Sequence, residues 1–498
     1  MKEWKAAHFV LGLIVFTSVD IKADDDYQPE MSPEASSTKH DDKVFKSDPS
    51  YEVHAYDVDA QLKIYGGKRE VANPRPLLEL GRKIYESGPL KRTNNFFGDK
   101  NPNFNQFAIY GDLRTALAFN DNGAKEIGQI ATRLNLDLDY KFTATERLHA
   151  FMRPLDRNGN FSRCEFFGND ETGCDSVLNA NIEAFFFEGD LGAIVSGIND
   201  DYVSWDLPFS IGLMPLLFQN GVWVEDAFTG LAFTIPAMNS KTLDITNVDI
   251  TFFAGFDDVS TAGVVAVDGS STEDDVNIYG VTAFVDAMQG YWEVGYGYTD
   301  GQDAFDDSDY HNFTFAFTKR YRNKISNSIR FISNVGQNLV GRSETADGYL
   351  LLIENSLITS KPSTFVPYFN AYIGFDRPQS LARAADAGGV LKNTGINFET
   401  DGVTGFPKLD DTANNTWGGA LGLSYLFNLD QQLVVEIASV QVRGGSNNRV
   451  AKGDQYALGF RYQKPLDEKW IFRADAIASF LDKAEDQSGI RLEIRRKF

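Results

Sequence analysis

Charged side chains gather near one end of the regularly patterned part of the chain: Asp112, Arg114, Arg133, Asp137, Asp139, Lys141, Arg147, His149 and Arg153. Arg461, Arg473 and Arg491 recur near the other end, around Asp475. Arginine presents a planar fork of donors suited to carboxylates and phosphates. Interleaved with aspartates on one face, such residues can do one of two things. They can form a charged track that attracts and orients an anionic or polyhydroxylated solute. Alternatively, they can neutralise one another as ion pairs inside a wall. The residue types leave both readings open.

Hydrolysis would need a nucleophile with a base in reach. Of five histidines, His8, His40 and His54 precede the patterned region, leaving His149 and His311. His149 falls among Arg147 and Asp137 on the charged face. His311 sits at a segment end beside Asp309 and Tyr310, where a loop serine could approach it. No nucleophile motif accompanies either, so no catalytic residue is assigned and no enzyme activity is expected. The carboxylate pairs Asp306-Asp307 and Asp410-Asp411 fall in long connections. They are expected to be solvated, or to hold calcium or magnesium loosely against lipopolysaccharide. No other cofactor and no metal site is expected.

The elements that must position these groups are strands. Phe107, Ile109, Leu113, Leu117 and Phe119 alternate with Ala108, Tyr110, Asp112, Arg114 and Ala116. Ile130, Leu134, Leu136, Leu138, Tyr140 and Phe142 then alternate with Arg133, Asn135, Asp137, Asp139 and Lys141. A period of two puts one apolar and one charged face on each strand. The alternation outlasts the five or six residues of a common soluble strand and matches the nine to eleven that cross a bilayer when tilted. About eighteen such segments follow one another between Gln106 and the C-terminus, an even count as a closed barrel requires. Short links such as Thr143–Glu146, Met288–Gly290 and Arg320–Asn323 alternate with long ones. Leu155–Leu178, Asp257–Asp275, Gly336–Asp347 and Asp376–Thr416 are the long set, and Leu191–Leu207 is too long for its place in the scheme. Trp292, Tyr298, Tyr321, Trp417 and Trp470 fall where interfacial girdles belong. Within the longest link, Ser380 to Ala387 reads as a short helix. Folded inward it would narrow a pore, and folded outward it would bind at the surface.

Upstream, Lys2 and Lys5 precede an apolar run from Ala6 to Val19 and a small residue, Ala23, before Asp24. Those are the three parts of a secretory signal, 1–23. The segment 24–105 begins with an acidic, Ser- and Pro-rich stretch and is expected to be largely disordered in the periplasm. Ala60–Tyr65 and Leu77–Tyr85 carry some apolar pattern and could form a plug or an added strand. Export makes a disulfide between Cys164 and Cys174 the expected state of the two cysteines. The formal charge of −23 excludes nucleic acid as a partner.

The last ten residues, Gly489 to Phe498, alternate Ile490, Leu492 and Ile494 with Arg491, Glu493 and Arg495 and end on an aromatic. This resembles the closing strand of bacterial outer-membrane barrels, whose terminal Phe is read by the barrel-assembly machinery; the resemblance gives Phe498 that role. Pro208 to Thr234, with Gln219-Asn220-Gly221 and Asp226-Ala227-Phe228-Thr229-Gly230, is similar to the alginate-export porin family. Asn181 to Phe187 and Asp112-Leu113-Arg114 are in the same style, whereas Gly212-Leu213-Met214 stands where that family has Gly-Arg-Gln. The resemblance implies an outer-membrane channel of a Gram-negative bacterium that passes a polar, anionic or polysaccharide solute without a chemical step. Its partners would be outer-membrane lipid, lipopolysaccharide and the assembly machinery. The expected fold is an all-β transmembrane antiparallel barrel over 106–498. The alternatives are a surface-loop adhesin, a structural barrel or an outer-membrane hydrolase.

Overall fold

The computed structural model describes residues 76–82, 98–157, 160–168, 172–266, 272–361, 364–399, 403–427, 431–445 and 449–498. The signal segment, Ala60–Tyr65 and most of 24–105 lie outside these residues.

Eighteen antiparallel strands close on themselves. The first six are β1 Gln106–Asp121, β2 Glu126–Lys141, β3 Arg147–Met152, β4 Ile182–Asp190, β5 Pro208–Phe218 and β6 Val224–Ser240. Then come β7 Ile245–Asp257, β8 Val276–Ala287, β9 Gly290–Gly301, β10 Tyr310–Tyr321, β11 Ile325–Val335 and β12 Asp347–Leu357. The last are β13 Phe365–Arg377, β14 Thr416–Phe427, β15 Gln431–Val442, β16 Gln455–Pro465, β17 Trp470–Leu481 and β18 Gln487–Lys497. Each pairs with its predecessor, and β18 returns to β1 in register from Lys497 opposite Asp112 to Ser488 opposite Asp121. Closure follows from the solvent. Hydrocarbon supplies no hydrogen-bond partners, so a sheet crossing it can leave no open edge.

The alternation sorts side chains as the sequence predicts. Phe119, Ile130, Phe185, Ile211, Val294, Phe313, Leu421, Leu458 and Ile490 are exposed on the outer surface, while Asp112, Arg133, Asp139, Asn312, Arg330, Glu436 and Arg491 are buried on the inner one. Trp417 and Trp470 are exposed near strand ends, as girdle residues are. Phe498 completes the seam: its N–H donates to Gly111 O at 3.1 Å and its C=O accepts from Gly111 N at 3.0 Å. Below that point the edge of β1 is covered by a short strand, Leu78–Gly81, paired with Gln106–Ile109.

Three connections differ from expectation. The long link between β4 and β5 contains an α-helix, α1, Leu191–Asn199, whose N-cap Asp190 accepts from Ala193 N at 2.8 Å. The link after β3 builds wall of its own: Asn160–Gly168 pairs with the upper half of β2, which the short β3 leaves uncovered. Cys164 faces Cys174 across that segment and Gly173–Asp175, and the two are disulfide-bonded. Replacing both by Ser is expected to raise tryptic cleavage within 153–181 roughly a hundredfold, from about 3 kcal/mol of lost loop restraint. The heat-modifiable gel mobility of the barrel should not change, because the ladders that close the barrel at β1–β2 and β18–β1 form without the disulfide. An unchanged cleavage rate would show that the loop is ordered without it. The third difference lies in the longest link, which is not helical over Ser380–Ala387. It contains a two-residue strand, Ala382–Arg383, and a 3-10 turn, Ala385–Ala387.

Candidate functional site

Two connections from the long-loop end turn into the lumen. At the tip of the β5–β6 hairpin, β6 pairs with β7 only from Thr229 onward, so Val224 to Phe228 leave the wall. Their free edge takes Ala382–Arg383 as a parallel neighbour. The tip reaches the β9–β10 wall. Trp223 is fully buried and donates from Nε1 to Asn312 Oδ1 at 2.9 Å, while Gln219 Oε1 accepts from Thr314 Oγ1 at 2.8 Å. Two glycines allow this. A Cβ at Gly295 would lie 2.7 Å from the Trp223 ring, and one at Gly297 2.4 Å from Leu381.

The link from β13 to β14 is the second inward element. Ser380 Oγ and Leu381 N donate to Val222 O and Trp223 O, at 2.8 and 2.9 Å. Farther along, buried Glu436 on β15 accepts from Ile396 N and Asn397 N, both at 3.0 Å, and from Tyr368 Oη. Asn120 and Gln129 then donate to Thr404 O at 2.9 and 2.8 Å, so the link touches the wall at β1 and β2 as well. Burial drives this path. Leu381, Val390, Leu391, Phe398 and Leu409 are all at most 3% exposed, and the last four pack against the inward Ile332, Leu350, Leu352 and Tyr372. Each such side chain contributes about 1.5–3 kcal/mol when withdrawn from water.

Asp410 and Asp411 belong to this buried path and are not solvated outer-loop residues. Asp411 Oδ2 accepts from Gly389 N at 2.6 Å, Asp410 accepts from Thr412 N at 3.1 Å, and burial raises the Asp410 carboxyl above its usual range. Asp307 stays at the surface, held low by Val340 N–H and paired with Arg342 at 3.3 Å. The acidic group of the outer rim is Asp257, Asp258 and Asp274, exposed, with carboxylate oxygens within 4.8 Å of one another. Burial raises Asp258, and repulsion from Asp257 raises Asp274.

The charged residues expected on the inner face of the first strands do face inward, and most of them form ion pairs. Asp112 pairs with Arg114 at 3.2 Å and with Arg495. Asp139 takes a hydrogen bond from Tyr110 Oη, lies 2.7 Å from His149 Nδ1 and pairs with Arg147 at 3.4 Å, while Asp137 lies 3.6 Å from His149 Nε2. Arg147 also pairs with Glu188. Lys141, near the short-turn end, lies 5.9 Å from the Phe104 ring. Arg133 and Arg153 meet the inward link: Asp386 Oδ2 is 2.8 Å from Arg153 Nη1 and 4.0 Å from Arg133 Nη2.

Around that junction is a cavity of about 690 Å3. Arg133, Arg153 and Lys392 line it against five carboxyls, Asp137, Glu183, Glu225, Asp226 and Asp386, with His149 between. Lys392 and Arg383 both reach Glu225, which fixes the link to the hairpin. A second cavity of about 550 Å3, lined by Ser260, Thr272, Gln379 and Arg383, adjoins the same stretch of the link nearer the long loops.

Arg461, Arg473 and Arg491 are placed differently. They converge on Asp475 at 2.7, 2.8 and 2.6 Å, with Glu399 of the inward link 2.6 Å from Arg461. Arg491 is 1% exposed, and the space beside the three is about 10 Å3, room for no solute. This group acts as an internal tie between wall and link. His311 does not meet a serine: its Nδ1 lies 3.0 Å from Tyr296 Oη on the outer face, and its ring lies against Tyr298.

The lumenal roles of Asp386, Lys392, Glu225, Glu436 and the Gln219–Trp223 tip escaped the sequence reading. One signal was available for the packing. Leu350-Leu351-Leu352-Ile353 breaks the alternation, so β12 carries apolar residues on its lumenal face as well, and something must cover them.

No protein-family model matches the chain, and no curated protein matches it. Among solved structures the barrel is similar to Pseudomonas aeruginosa OccK11 (OpdR), with a TM-score of 0.51 and 9% identity over 79% of this chain and 96% of that one. It is likewise similar to the P. aeruginosa outer-membrane protein OpdK, with a TM-score of 0.51 and 11% identity over 79% of this chain and 98% of that one. These likenesses support a porin barrel and not alginate export in particular. Closed strand ladder, apolar outer band and polar, partly filled lumen together make this chain an eighteen-stranded barrel of the outer-membrane porin fold.

Proposed function

We propose that the protein is a passive outer-membrane channel for a small polar solute, selected where Asp386 of the inward link meets Arg133 and Arg153. The observation that carries this reading is the cavity at that junction, where cations and carboxyls face one another across open space. A solute with a charged or hydroxylated end can exchange with either partner of the Asp386–Arg153 pair, because a pair in contact with water is worth little to the fold. The inward path of the Asp376–Thr416 connection favours a selective channel over an adhesin, since it takes the longest loop away from the outer surface.

The alginate-export resemblance would extend the cargo to a polyanionic chain. Carboxyls outnumber the permanent cations in the cavity, which opposes that extension, and Leu213 stands where that family has its arginine. A neutral or mixed-charge solute fits this lining better than a polyanion.

Conductance in planar bilayers, with reversal potentials under a salt gradient, tests the reading. Discrete stable steps are expected. Arg153→Ala and Arg133→Ala should each shift the permeability ratio toward cations, by up to roughly five-fold, the weight of about 1 kcal/mol for one charge at 4 Å in water. Asp386→Ala should shift it the opposite way. A silent barrel, or three variants with the native ratio, would remove permeation from this junction.

A further inference from the structure

On the opposite wall from Arg133 and Asp386, near the short turns, two aromatic rings face the lumen where polar groups are expected. Phe284 is opposite Glu293, Glu293 opposite Ala316, and Ala316 opposite Arg330. Directly opposed residues share a face, and Ala316 and Arg330 are 0% and 3% exposed on the inner one. Tyr291 shares the face of Glu293, two residues on. Phe284 and Tyr291 therefore project inward, yet they are 38% and 50% exposed. Their rings stack on each other, centroids 5.8 Å apart and planes at 22°. Neither is buried under the inward link, so core packing does not explain them.

The two rings form part of the lining of a basin of about 470 Å3, within the roughly 300–1,000 Å3 that small-molecule sites occupy. Thr318, Ser326, Ser328 and Ser356 supply hydroxyls there, and Glu293 and Glu354 supply carboxylates. The one cation, Arg330, is committed: its Nε lies 2.7 Å from Glu354 and its Nη1 3.9 Å from Glu293. An aromatic acid would find a ring surface here but two carboxylates repelling its own. A pyranose ring finds what it needs. Its axial C–H groups lie on the electron-rich faces of the rings, while its vicinal hydroxyls donate to carboxylates and exchange bonds with the serines and threonine.

We infer that this basin is a binding site for the pyranose ring of a neutral sugar, with Phe284 and Tyr291 as its platform. The site deepens the channel reading by naming a cargo class, but binding does not require conduction, so the two are tested separately. The refolded barrel in detergent is titrated calorimetrically with maltose, and with benzoate as the aromatic-acid control. Saturable maltose binding is expected, weakened roughly ten-fold by Phe284→Ala or Tyr291→Ala, the loss of one aromatic packing partner. Tyr291→Phe, which keeps the ring, should bind nearly as the native protein does. All three variants should keep the native heat-modifiable mobility, since the replaced side chains are half exposed. No saturable maltose binding, tighter binding of benzoate than of maltose, or a native affinity in Tyr291→Ala would each overturn the assignment. If maltose binds as described but bilayers stay silent, the sugar site stands and the channel reading falls.

Discussion

Excising Gln379–Asn414 and joining Pro378 to Asn415 through a short Gly-Ser linker should raise single-channel conductance several-fold. The excised segment is the one that runs from the β6 edge at Val224–Glu225, past Glu436 on β15, to Asn120 and Gln129 on β1 and β2. On the proposed channel reading, current through the intact barrel is set by what this segment leaves open. The barrel should still refold, because β13 and β14 pair directly from Phe365 opposite Tyr425 to Ile373 opposite Trp417, below the excision. The expected side effect is lower stability, since Ile332, Leu350 and Leu352 lose their apolar cover. A native conductance in the excised protein would mean that the Gln219–Trp223 tip, or the wall itself, limits the passage. The Glu436→Ala substitution gives a graded form of the same test: two loop amides and the Asn397 side chain lose their acceptor. Noisier, partly enlarged steps are the expected record.

Asp475→Ala should be the most destabilising single change in the wall. Asp475 is 5% exposed and is the common counter-ion of Arg461, Arg473 and Arg491, all within 2.8 Å. Its loss leaves three guanidiniums converging on one point, with only Arg461 keeping a close partner, Glu399 at 2.6 Å, while Arg473 and Arg491 keep Glu399 and Glu493 at 3.8 and 3.6 Å. Breaking a buried pair by removing one partner costs about 3–5 kcal/mol, and here the remaining cations also repel. The temperature at which the folded band disappears in detergent gels should drop clearly, and refolding yield with it. Asp475→Asn keeps the volume and an acceptor but not the charge, so it should show most of the same loss. A variant that melts with the native protein would mean that the three arginines are neutralised by solvent and that the cluster is more open than its burial indicates.

The faces of the strands were legible in the sequence because a strand alternates sides at every residue. Ile130 through Phe142 against Arg133 through Lys141 specifies both surfaces of β2 without reference to any other strand. Lipid demands apolar residues on one side at every level of the membrane, so the signal repeats along the whole barrel and gives an approximate strand count, closure and the inward direction of Asp112, Arg133 and Arg153.

What fills the lumen was decided by tertiary structure alone. No local pattern says that Leu381 enters the space over Gly297, that Asp386 meets Arg153 across 233 positions of sequence, or that Asp410 is buried. These contacts depend on which wall residues a loop meets once the barrel has closed, and burial of an irregular segment has no period to read. The run Leu350–Ile353 showed that a cover was needed but not which segment supplies it. Likewise Phe284 and Tyr291 could be placed on the inner face by counting, but their neighbourhood is assembled from five strands, β8 to β12. Short-range alternation determined the vessel; long-range packing determined its contents, because only the closed barrel brings those residues within contact distance.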